Sequence, residues 1–311
     1  MPNTVVITGC SSGFGKQLAL DLARRGDRVY ATMRGTQGKN TVAAEELAET
    51  ATQDGLDLHV LELDVTSTAS VDAAAALILA EAGAPDTVVN NAGVMLTGFS
   101  EAFTPEEMTA QLDVNVVGIH RMNRAFLPSM RQRGRGLIIN LSSIAGRLSA
   151  PFFGVYHASK WAVEGYSMAL RGELACCGVD VVVVEPGPFA TALFDVSPQP
   201  ADADQRVADY PEVARTAYKA VGDAFDGMFN DPDTPTDPDM VVKEIIALID
   251  TPAGSRPFRT VVGVDAGVRE RNAAVAPFDA AVLEAFGMTE FATHTIEDLS
   301  LDGPFVTGNH F

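Results

Sequence analysis

The sequence predicts an α/β fold in which helices cover both faces of a doubly wound, parallel, seven-stranded sheet. Short runs of β-branched and other apolar residues alternate with amphipathic stretches of helical length along most of the chain. This alternation is typical of right-handed βαβ units, which place parallel strands side by side. A Gly-rich segment between the first apolar run and the first amphipathic stretch is typical of the same architecture. The length of 311 residues suits one large α/β domain or two small ones, and we expect a single domain over residues 1–311.

Charge and composition limit the partners that this chain can have. Its formal net charge is −19, which argues against nucleic acid and anionic membranes because both bind basic surfaces. Cys10, Cys176 and Cys177 lack the spacing of metal ligands, and we expect no metal site. No apolar run is long enough to span a membrane, and the first predicted strand begins at residue 4, which leaves no room for a signal peptide. These features predict a cytoplasmic location.

The first predicted strand, residues 4–7, leads into a Gly-rich turn that is followed by an amphipathic helix. Arg24 and Arg25 in the last helical turn, with Gly26 just beyond, are helix-stop signals. The turn has the sequence Thr8-Gly9-Cys10-Ser11-Ser12-Gly13-Phe14-Gly15. Backbone amides in such a turn and at the helix N-terminus can hold a pyrophosphate, and glycine permits its close approach. The turn therefore predicts a dinucleotide site.

The residues after the second predicted strand, 28–33, bear on the choice of dinucleotide. Sites that prefer NAD usually place an acidic residue there against the ribose hydroxyls, whereas a basic residue suits a 2′-phosphate. Met33 and Arg34 occupy this position, and no acidic residue follows before Glu45. We therefore favour NADP(H) over NAD(H), with Arg34 and Ser12 on the 2′-phosphate. The alternative is a solvated arginine in a loop.

The middle of the chain continues the alternation. Predicted helices and strands follow in the order helix 40–53, strand 58–63, helix 70–82 and strand 87–89. Thr104, Pro105 and Glu107 carry the start signals of a long helix that contains Asn115. Asn is disfavoured on an apolar helix face unless its amide is satisfied. Asn115 is thus either a buried structural hydrogen bonder or part of a polar relay.

Two later elements carry the candidate chemistry. The predicted strand 136–141 delivers Ser143 to the carboxyl end of the sheet, where open α/β sheets bind ligands. The predicted helix 155–177 carries Tyr156 and Lys160, which lie on one face because they are four residues apart. An ammonium beside a phenol favours the phenolate and lowers its pKa from about 10, as general acid–base catalysis requires. Predicted strand 179–185, helix 240–250 and strand 259–264 complete the sheet.

The motifs in this order resemble those of the short-chain dehydrogenase/reductase family, in its single-domain branch with a Rossmann fold. The resemblance covers residues 4–191. In local sequence it is strongest to hydroxysteroid and retinol dehydrogenases, a branch in which NADP(H) is the more usual cofactor. Ser143 precedes Tyr156 by thirteen residues, the spacing typical of the family. The matching motifs are Thr8 through Gly15, Asp64-Val65, Asn90 through Gly93, Asn115, Ser143 and Tyr156 with Lys160.

The resemblance implies catalytic roles for four positions. Tyr156 would donate a proton to a carbonyl oxygen during reduction, or abstract it from an alcohol during oxidation. Ser143 would hydrogen-bond that oxygen. Lys160 would hold the nicotinamide ribose and lower the pKa of Tyr156, and Asn115 would anchor a water in a proton relay.

The resemblance also implies a cofactor site. The glycines of the turn would line the pyrophosphate, Asp64 would meet the adenine amine, and Thr191 would orient the carboxamide. Together with Arg34, the predicted cofactor-binding positions are Gly9, Ser11, Ser12, Gly13, Phe14, Gly15, Asp64, Val65, Asn91, Ala92, Gly93, Tyr156, Lys160, Pro186, Gly187, Phe189 and Thr191.

The resemblance weakens after Thr191. Residues 192–239 are rich in Pro, Asp and Ala around a helical piece at 211–229, a composition that suits a mobile substrate lid or a variable surface loop. The residues from about 291 onwards form an extension beyond the usual end of the fold. Five apolar and aromatic residues are candidates to line a substrate pocket, and the alternative is that they belong to the core. They are Met95, Phe152, Phe153, Phe189 and Phe194.

These observations predict an NADP(H)-dependent oxidoreductase that interconverts a secondary alcohol and a ketone or aldehyde. The expected substrate is bulky and apolar, and the resemblance suggests a homodimer or homotetramer. The alternatives are a broad reductase of small or xenobiotic carbonyls and a non-catalytic dinucleotide sensor. A sugar-nucleotide epimerase or dehydratase ranks last. A sensor needs only the cofactor half of the motifs, so the set of Asn115, Ser143, Tyr156 and Lys160 argues against it.

Overall fold

A single seven-stranded parallel sheet organises the part of the chain that the computed structural model describes, residues 2–195 and 199–292. The strands are β1 (Thr4–Thr8), β2 (Arg28–Met33), β3 (Leu58–Glu62), β4 (Thr87–Asn90), β5 (Gly136–Leu141), β6 (Val179–Pro186) and β7 (Arg259–Val262). They lie in the order β3-β2-β1-β4-β5-β6-β7, and every neighbouring pair is parallel. The order reverses at β1, so the chain is doubly wound and the predicted fold class is confirmed.

Helices connect the strands and cover both faces of the sheet. They are α1 (Gly13–Arg24), α2 (Thr41–Asp54), α3 (Thr68–Ala82), α4 (Pro105–Leu112), α5 (Gly118–Arg133), α6 (Gly154–Leu174), α7 (Ala192–Asp195), α8 (Ala203–Arg206), α9 (Glu212–Asn230), α10 (Asp239–Asp250) and α11 (Val268–Ala285). Two buried apolar clusters result. One packs α1, α2 and α10 against the sheet, and the other packs α3, α5 and α6 against the opposite face. Parallel strands need cover on both faces, and every residue of β6 is accordingly buried.

The structure differs from the predicted elements in three places. The short helices α7 and α8 lie in the predicted lid, ahead of the predicted helical piece at 211–229. The long helix that contains Asn115 consists of α4, a π-type turn over Asp113–Val117 and α5. The helix α11 was not predicted, because its sequence contains Pro277 and Val268 alone of its residues is buried. Among the described residues no helix is both long and apolar enough to cross a bilayer. The predicted C-terminal extension lies almost wholly outside the described residues.

Candidate active site

The predicted site residues come together at the carboxyl edge of the sheet, beyond the ends of β1, β4, β5 and β6. Asn115, Ser143, Tyr156 and Lys160 are all buried there, each with no more than 9% of its surface exposed. A Cβ atom placed on Gly93, just after β4, would lie 3.5 Å from Asn115 Oδ1 and 4.0 Å from Lys160 Nζ. The topology therefore gathers residues that are far apart in the sequence.

The Gly-rich turn is clamped to the segment that follows β4. The Asn91 side-chain amide donates to the carbonyls of Thr8 (2.8 Å) and Gly9 (3.2 Å). The backbone amides of Asn91 and Ala92 both donate to Thr8 Oγ1 at 3.0 Å. Asn91 is thus held inward as a scaffold residue, and sequence reasoning, which counted it among the cofactor-binding positions, missed this role.

Gly9 and Gly15 leave no room for side chains in this turn. A Cβ on Gly9, whose φ is +75°, would lie 2.9 Å from Ala92 Cα, and one on Gly15 would lie 2.5 Å from Asn91 Nδ2. Gly13 has a φ of +56° and opens α1, and a Cβ placed on it would lie 3.9 Å from Thr191 Cβ, an ordinary contact distance. Backbone amides at a helix N-terminus in a cleft without side chains fit a pyrophosphate. The turn therefore suits the predicted dinucleotide.

Two cations lie at the end of β2, where the adenosine ribose is expected. Arg34 is exposed, and its positive charge and that of Lys39 act on Asp64. Burial alone would raise the pKa of Asp64, but hydrogen bonds from Thr66 and these two charges outweigh it and lower the pKa. Lys39, whose Cγ lies 3.2 Å from the position of a Cβ on Gly35, was missed in the sequence because it is five residues beyond Arg34.

The loop that carries Arg34 is fixed by a carboxylate from the neighbouring strand. Glu62 ends β3 opposite Met33, and its side chain accepts from the amides of Gly35 (2.8 Å) and Thr36 (2.7 Å). These bonds help to lower the pKa of Glu62 although burial acts in the opposite direction. Glu62 is a second residue that sequence reasoning missed, because only the strand register brings it to this loop.

Asn115 lies in the π-type turn with its side chain fully engaged. Its Oδ1 accepts from the Val94 amide (2.9 Å), and its Nδ2 donates to the Val94 carbonyl (2.9 Å) and to Ser159 Oγ (2.9 Å). π-type turns often occur at functional sites. Of the two interpretations of Asn115, the structure shows the structural one directly: its side chain ties the segment after β4 to the helix that carries Tyr156.

Ser143 follows β5, as predicted, and faces the end of β6. Its hydroxyl donates to the Pro186 carbonyl (3.1 Å) and accepts from the Ala145 amide (3.1 Å). Gly187, the next residue after Pro186, packs so closely on the segment after β7 that a Cβ would lie 2.1 Å from the Val264 carbonyl oxygen. The hydroxyl of Ser143 is therefore held at the cleft by main-chain atoms.

The pKa of Tyr156 differs from the sequence-based expectation. Burial raises the pKa of Tyr156 to about 12, and the neighbouring Ser143 hydroxyl only partly opposes this rise. Burial lowers the pKa of Lys160 to about 8, against the opposing charge of Glu164. Lys160 Nζ donates to the Leu141 carbonyl (2.7 Å) and lies 5.7 Å from the centre of the Tyr156 ring. The expected lowering of the Tyr156 pKa is not found, because removal of both groups from water dominates.

A histidine that sequence reasoning passed over holds the loop between Ser143 and Tyr156. The Ala150 amide donates to His157 Nε2 (3.0 Å), so Nδ1 carries the proton and donates to the Ala145 carbonyl (2.7 Å). Both nitrogens of this buried ring are therefore used. In the sequence, only the position of His157 directly after Tyr156 indicated that this histidine lies near the site.

Apolar and aromatic side chains cover the cleft beside Tyr156. Met95 and Ala145 pack with the Tyr156 ring, and Phe153 and Leu193 border the same cluster. From there a series of rings leads to α9: Phe153 contacts Phe225, Phe152 contacts Tyr218, and Phe99 contacts Tyr210 and Tyr218, with centroid distances of 4.4–5.8 Å. We call this series of rings the aromatic wall. A cavity of about 310 Å³ lies at its far end, between Phe99, Pro200, Val207 and Tyr218.

Two of the residues predicted to line the substrate pocket are not seen to line it. The Phe189 side chain is 2% exposed and packs edge-on against Phe14 at 5.6 Å, so it belongs to the core and does not line the pocket. Its ring lies under Gly263, where a Cβ would approach it to 2.6 Å. The side chain of Phe194 falls outside the described residues.

Three comparisons place these features among known proteins. A family model described as short chain dehydrogenase matches residues 3–201. The 3-ketodihydrosphingosine reductase of Bacteroides thetaiotaomicron is 40% identical over 194 residues, which cover 62% of this chain and 66% of that protein. Human 17-beta-hydroxysteroid dehydrogenase type 1 is 43% identical over 201 residues, which cover 63% and 60% of the two chains. The match thus spans less than two thirds of the length of these curated relatives.

A solved structure matches over a larger part of the chain. It is described as a short-chain dehydrogenase from Streptomyces avermitilis, and it is 30% identical with a TM-score of 0.68. The match covers 92% of this chain and 97% of that one. The similarity therefore extends beyond the dinucleotide-binding motifs to the C-terminal part of the described fold.

Proposed function

Because the chain belongs to the short-chain dehydrogenase/reductase family, we propose that it is an NADP(H)-dependent oxidoreductase that interconverts an alcohol and the corresponding ketone or aldehyde. The observation that carries this proposal is the convergence of Asn115, Ser143, Tyr156 and Lys160 in one buried cleft beside the Gly-rich turn. A protein that only sensed the dinucleotide would need the turn and not these four side chains.

The proton chemistry follows from the protonation states of the two central residues. With a pKa of about 12, Tyr156 keeps its proton at neutral pH, which is the form that donates to a carbonyl oxygen. Ser143, whose hydroxyl donates to the Pro186 carbonyl in this structure, would turn its one proton to the substrate oxygen and supply a second hydrogen bond as negative charge develops on it. The buried Lys160 ammonium favours that charge over the neutral ground state. Asn115 keeps the walls of the cleft together through Val94 and Ser159.

Several residues would hold the nicotinamide cofactor, which supplies the hydride when bound. The amides of the Gly9–Gly15 turn, with Thr191 opposite, suit the pyrophosphate. The charges of Arg34 and Lys39 at the end of β2 suit a 2′-phosphate. We therefore retain NADP(H) as the favoured cofactor.

The aromatic wall supports a bulky apolar substrate. The inner face of α9 presents Tyr218 and Phe225 to Phe152 and Phe153, and every residue of α9 keeps some exposure to solvent. Packing of this kind leaves apolar surface that a large ring system or chain can cover. We propose that residues 192–239 act as a lid over this substrate. A preference for small carbonyls would favour the broad-specificity reductase instead.

The direct test is NADPH consumption by the purified protein on a series of carbonyl compounds that runs from small ketones through aryl ketones to steroids. The Tyr156→Phe variant serves as the blank. We expect turnover that rises with the apolar size of the substrate and disappears in the variant. Tight NADPH binding without any turnover would favour the dinucleotide sensor.

The cofactor preference predicts the behaviour of Arg34→Asp. This substitution removes a positive charge from the 2′-phosphate position and adds a carboxylate near Glu62 and Asp64. A hydrogen bond to a charged group contributes about 1.5–3 kcal/mol, so we expect kcat/KM for NADPH relative to NADH to fall by about tenfold or more. Steady-state kinetics with both cofactors measures this ratio.

The control is Arg24→Asp, which makes the same charge change in the last turn of α1, where Arg24 pairs with the exposed Asp54 at 3.5 Å. It should leave the cofactor ratio unchanged. If Arg34→Asp also leaves the ratio unchanged, Arg34 does not read the 2′-phosphate.

The family also suggests self-association, and we propose a homodimer or homotetramer. Light scattering coupled to size-exclusion chromatography of the full chain distinguishes these states from a 32.8 kDa monomer.

A further inference from the structure

A cluster of buried charges lies directly behind the candidate active site. At its centre, Arg259 Nε on β7 is 2.9 Å from Glu164 Oε2 on α6 and 3.7 Å from Glu185 Oε1 on β6. Glu164 is 2% exposed and Glu185 is fully buried. We call these three residues the Arg259 cluster. Burying charges costs free energy unless they are paired. The presence of the Arg259 cluster beside the site therefore suggests a role in the site.

Charged and polar groups from the loop after β5 and from α11 surround the cluster. Asn272 Nδ2 donates to Glu185 Oε2 (2.6 Å), and Arg147 Nε donates to Asn272 Oδ1 (2.7 Å). Asp279 Oδ2 lies 3.6 Å from Arg259 Nη1, and Arg271 faces the Trp161 ring that Arg147 also contacts. With Lys160, these are the titratable and charged groups that face the cluster from α6, β6, β7, α11 and the loop.

The two carboxylates of the cluster are not equivalent. Burial and the nearby charge of Glu164 raise the pKa of Glu185 to about 8, although Asn272, Arg259 and Arg147 oppose the rise. The charge of Arg259 is met by Glu164, whose contact with Nε is the shorter one.

Both carboxylates adjoin residues of the candidate site. Glu164 follows Lys160 by one helical turn on α6, so the two side chains share a face. Gly146 packs against this part of α6: a Cβ there would lie 2.9 Å from Glu164 Cγ and 3.0 Å from the backbone carbonyl oxygen of Lys160. Glu185 directly precedes Pro186, whose carbonyl holds the Ser143 hydroxyl.

Lys160 needs such a partner. Its Nζ donates to the Leu141 carbonyl, which is neutral, and burial lowers the pKa of Lys160 to about 8 while the charge of Glu164 acts to raise it. A buried ammonium without a nearby carboxylate loses its proton more readily. Glu164 supplies that carboxylate, and Arg259 fixes it in place.

We propose that Glu164 is a positioning residue of this site, whose buried carboxylate keeps the Lys160 side chain in its charged form. The inference rests on the proposed oxidoreductase function, in which the Lys160 ammonium takes part. Glu164 touches neither substrate nor cofactor in this proposal and acts through Lys160.

The test is the pH dependence of Glu164→Gln, measured as kcat/KM for NADPH-dependent reduction and, separately, as NADPH affinity by fluorescence. Lys160 loses its proton as the pH rises through its pKa. Removal of the Glu164 charge lowers that pKa, so activity and affinity should decline at a lower pH than in the wild type, by about one pH unit. In Glu164→Asp, which keeps a carboxylate, the alkaline decline should stay closer to that of the wild type.

The matched control is Asp180→Asn, which removes an equally buried carboxylate at the opposite end of β6, where Asp180 pairs with Arg256 at 2.7 Å. This variant should lose stability without a shift of the alkaline decline. An unshifted decline in Glu164→Gln, or an equal shift in Asp180→Asn, would overturn the inference. If Glu164→Gln does not fold, Glu164→Met removes the same charge from a similar volume and carries the same expectation.

The NADPH affinity measurement separates this inference from the proposed function. Wild-type protein that binds NADPH but reduces no carbonyl would contradict the proposed function, while a shifted affinity profile in Glu164→Gln would still support the role of Glu164. Turnover by the wild type with no shift in the variant would contradict only the role of Glu164.

Discussion

Tyr156→Phe is expected to abolish carbonyl reduction while NADPH still binds with nearly wild-type affinity. The substitution removes one hydroxyl and keeps the ring that packs with Met95 and Ala145, so the cleft retains its shape. Loss of a positioned general acid costs about 10²- to 10⁴-fold in rate. Single-turnover kinetics and fluorescence titration with NADPH measure the two effects separately.

Tyr166→Phe is the matched control for this experiment. It makes the same change on the same helix, but the Tyr166 hydroxyl contacts His120 and Asn123 (3.1 and 3.2 Å) and lies outside the candidate site. Its turnover should remain near that of the wild type. Substantial turnover by Tyr156→Phe would show that another group supplies the proton.

Gly15→Ala is expected to damage both nucleotide binding and stability. The added Cβ would lie 2.5 Å from Asn91 Nδ2 and 2.6 Å from the Gly9 carbonyl oxygen, so the clamp on the turn must open. Overpacking of this kind costs about 1–3 kcal/mol. Since 1.4 kcal/mol corresponds to a factor of ten, we expect NADPH to bind about tenfold more weakly or worse. Thermal unfolding and NADPH titration measure the two losses.

Gly165→Ala, on α6, is the matched control, and it is expected to cause neither of the two losses. Gly165 is exposed, and no neighbour lies within 4 Å of the position of its Cβ. Alanine is favoured over glycine in a helix interior by about 0.5–1 kcal/mol, so this variant should be slightly more stable and bind NADPH normally. Equal behaviour of the two variants would mean that the packing of the turn does not matter for binding.

The sequence was sufficient for the architecture because every strand of the sheet is a short apolar run between turn signals. It also placed Ser143 at the end of β5 and Tyr156 with Lys160 on one helical face, since both depend only on local spacing. The helix α11 was not predicted because most of its residues face solvent, so that no apolar stripe marks it. Local pattern therefore predicted the buried elements and missed an exposed one.

The properties of the site depend on contacts that spacing does not encode. The pKa of Tyr156 follows from burial by Met95 and Ala145, which come from two other segments, and not from the nearby lysine alone. The hydrogen-bond partners of Asn115 lie in the segment after β4 and on α6, and only the tertiary structure brings these two together. The Glu62 carboxylate reaches the Arg34 loop through strand register. Each of these contacts joins residues that are at least 11 positions apart, and all except the one between Tyr156 and Ala145 join residues more than 20 positions apart.

The clamp between the Gly-rich turn and Asn91 has a consequence for folding kinetics. Its hydrogen bonds join residues 82 to 84 positions apart, so the turn reaches its final conformation only after β4 has docked beside β1. Closing so long a loop has an entropic cost that must be met before the contact forms, and contacts of this kind slow folding. The first βαβ unit emerging from the ribosome therefore lacks the groups that shape its own nucleotide turn. Competence to bind a dinucleotide should appear late in synthesis, once β4 and the residues after it are free to pair.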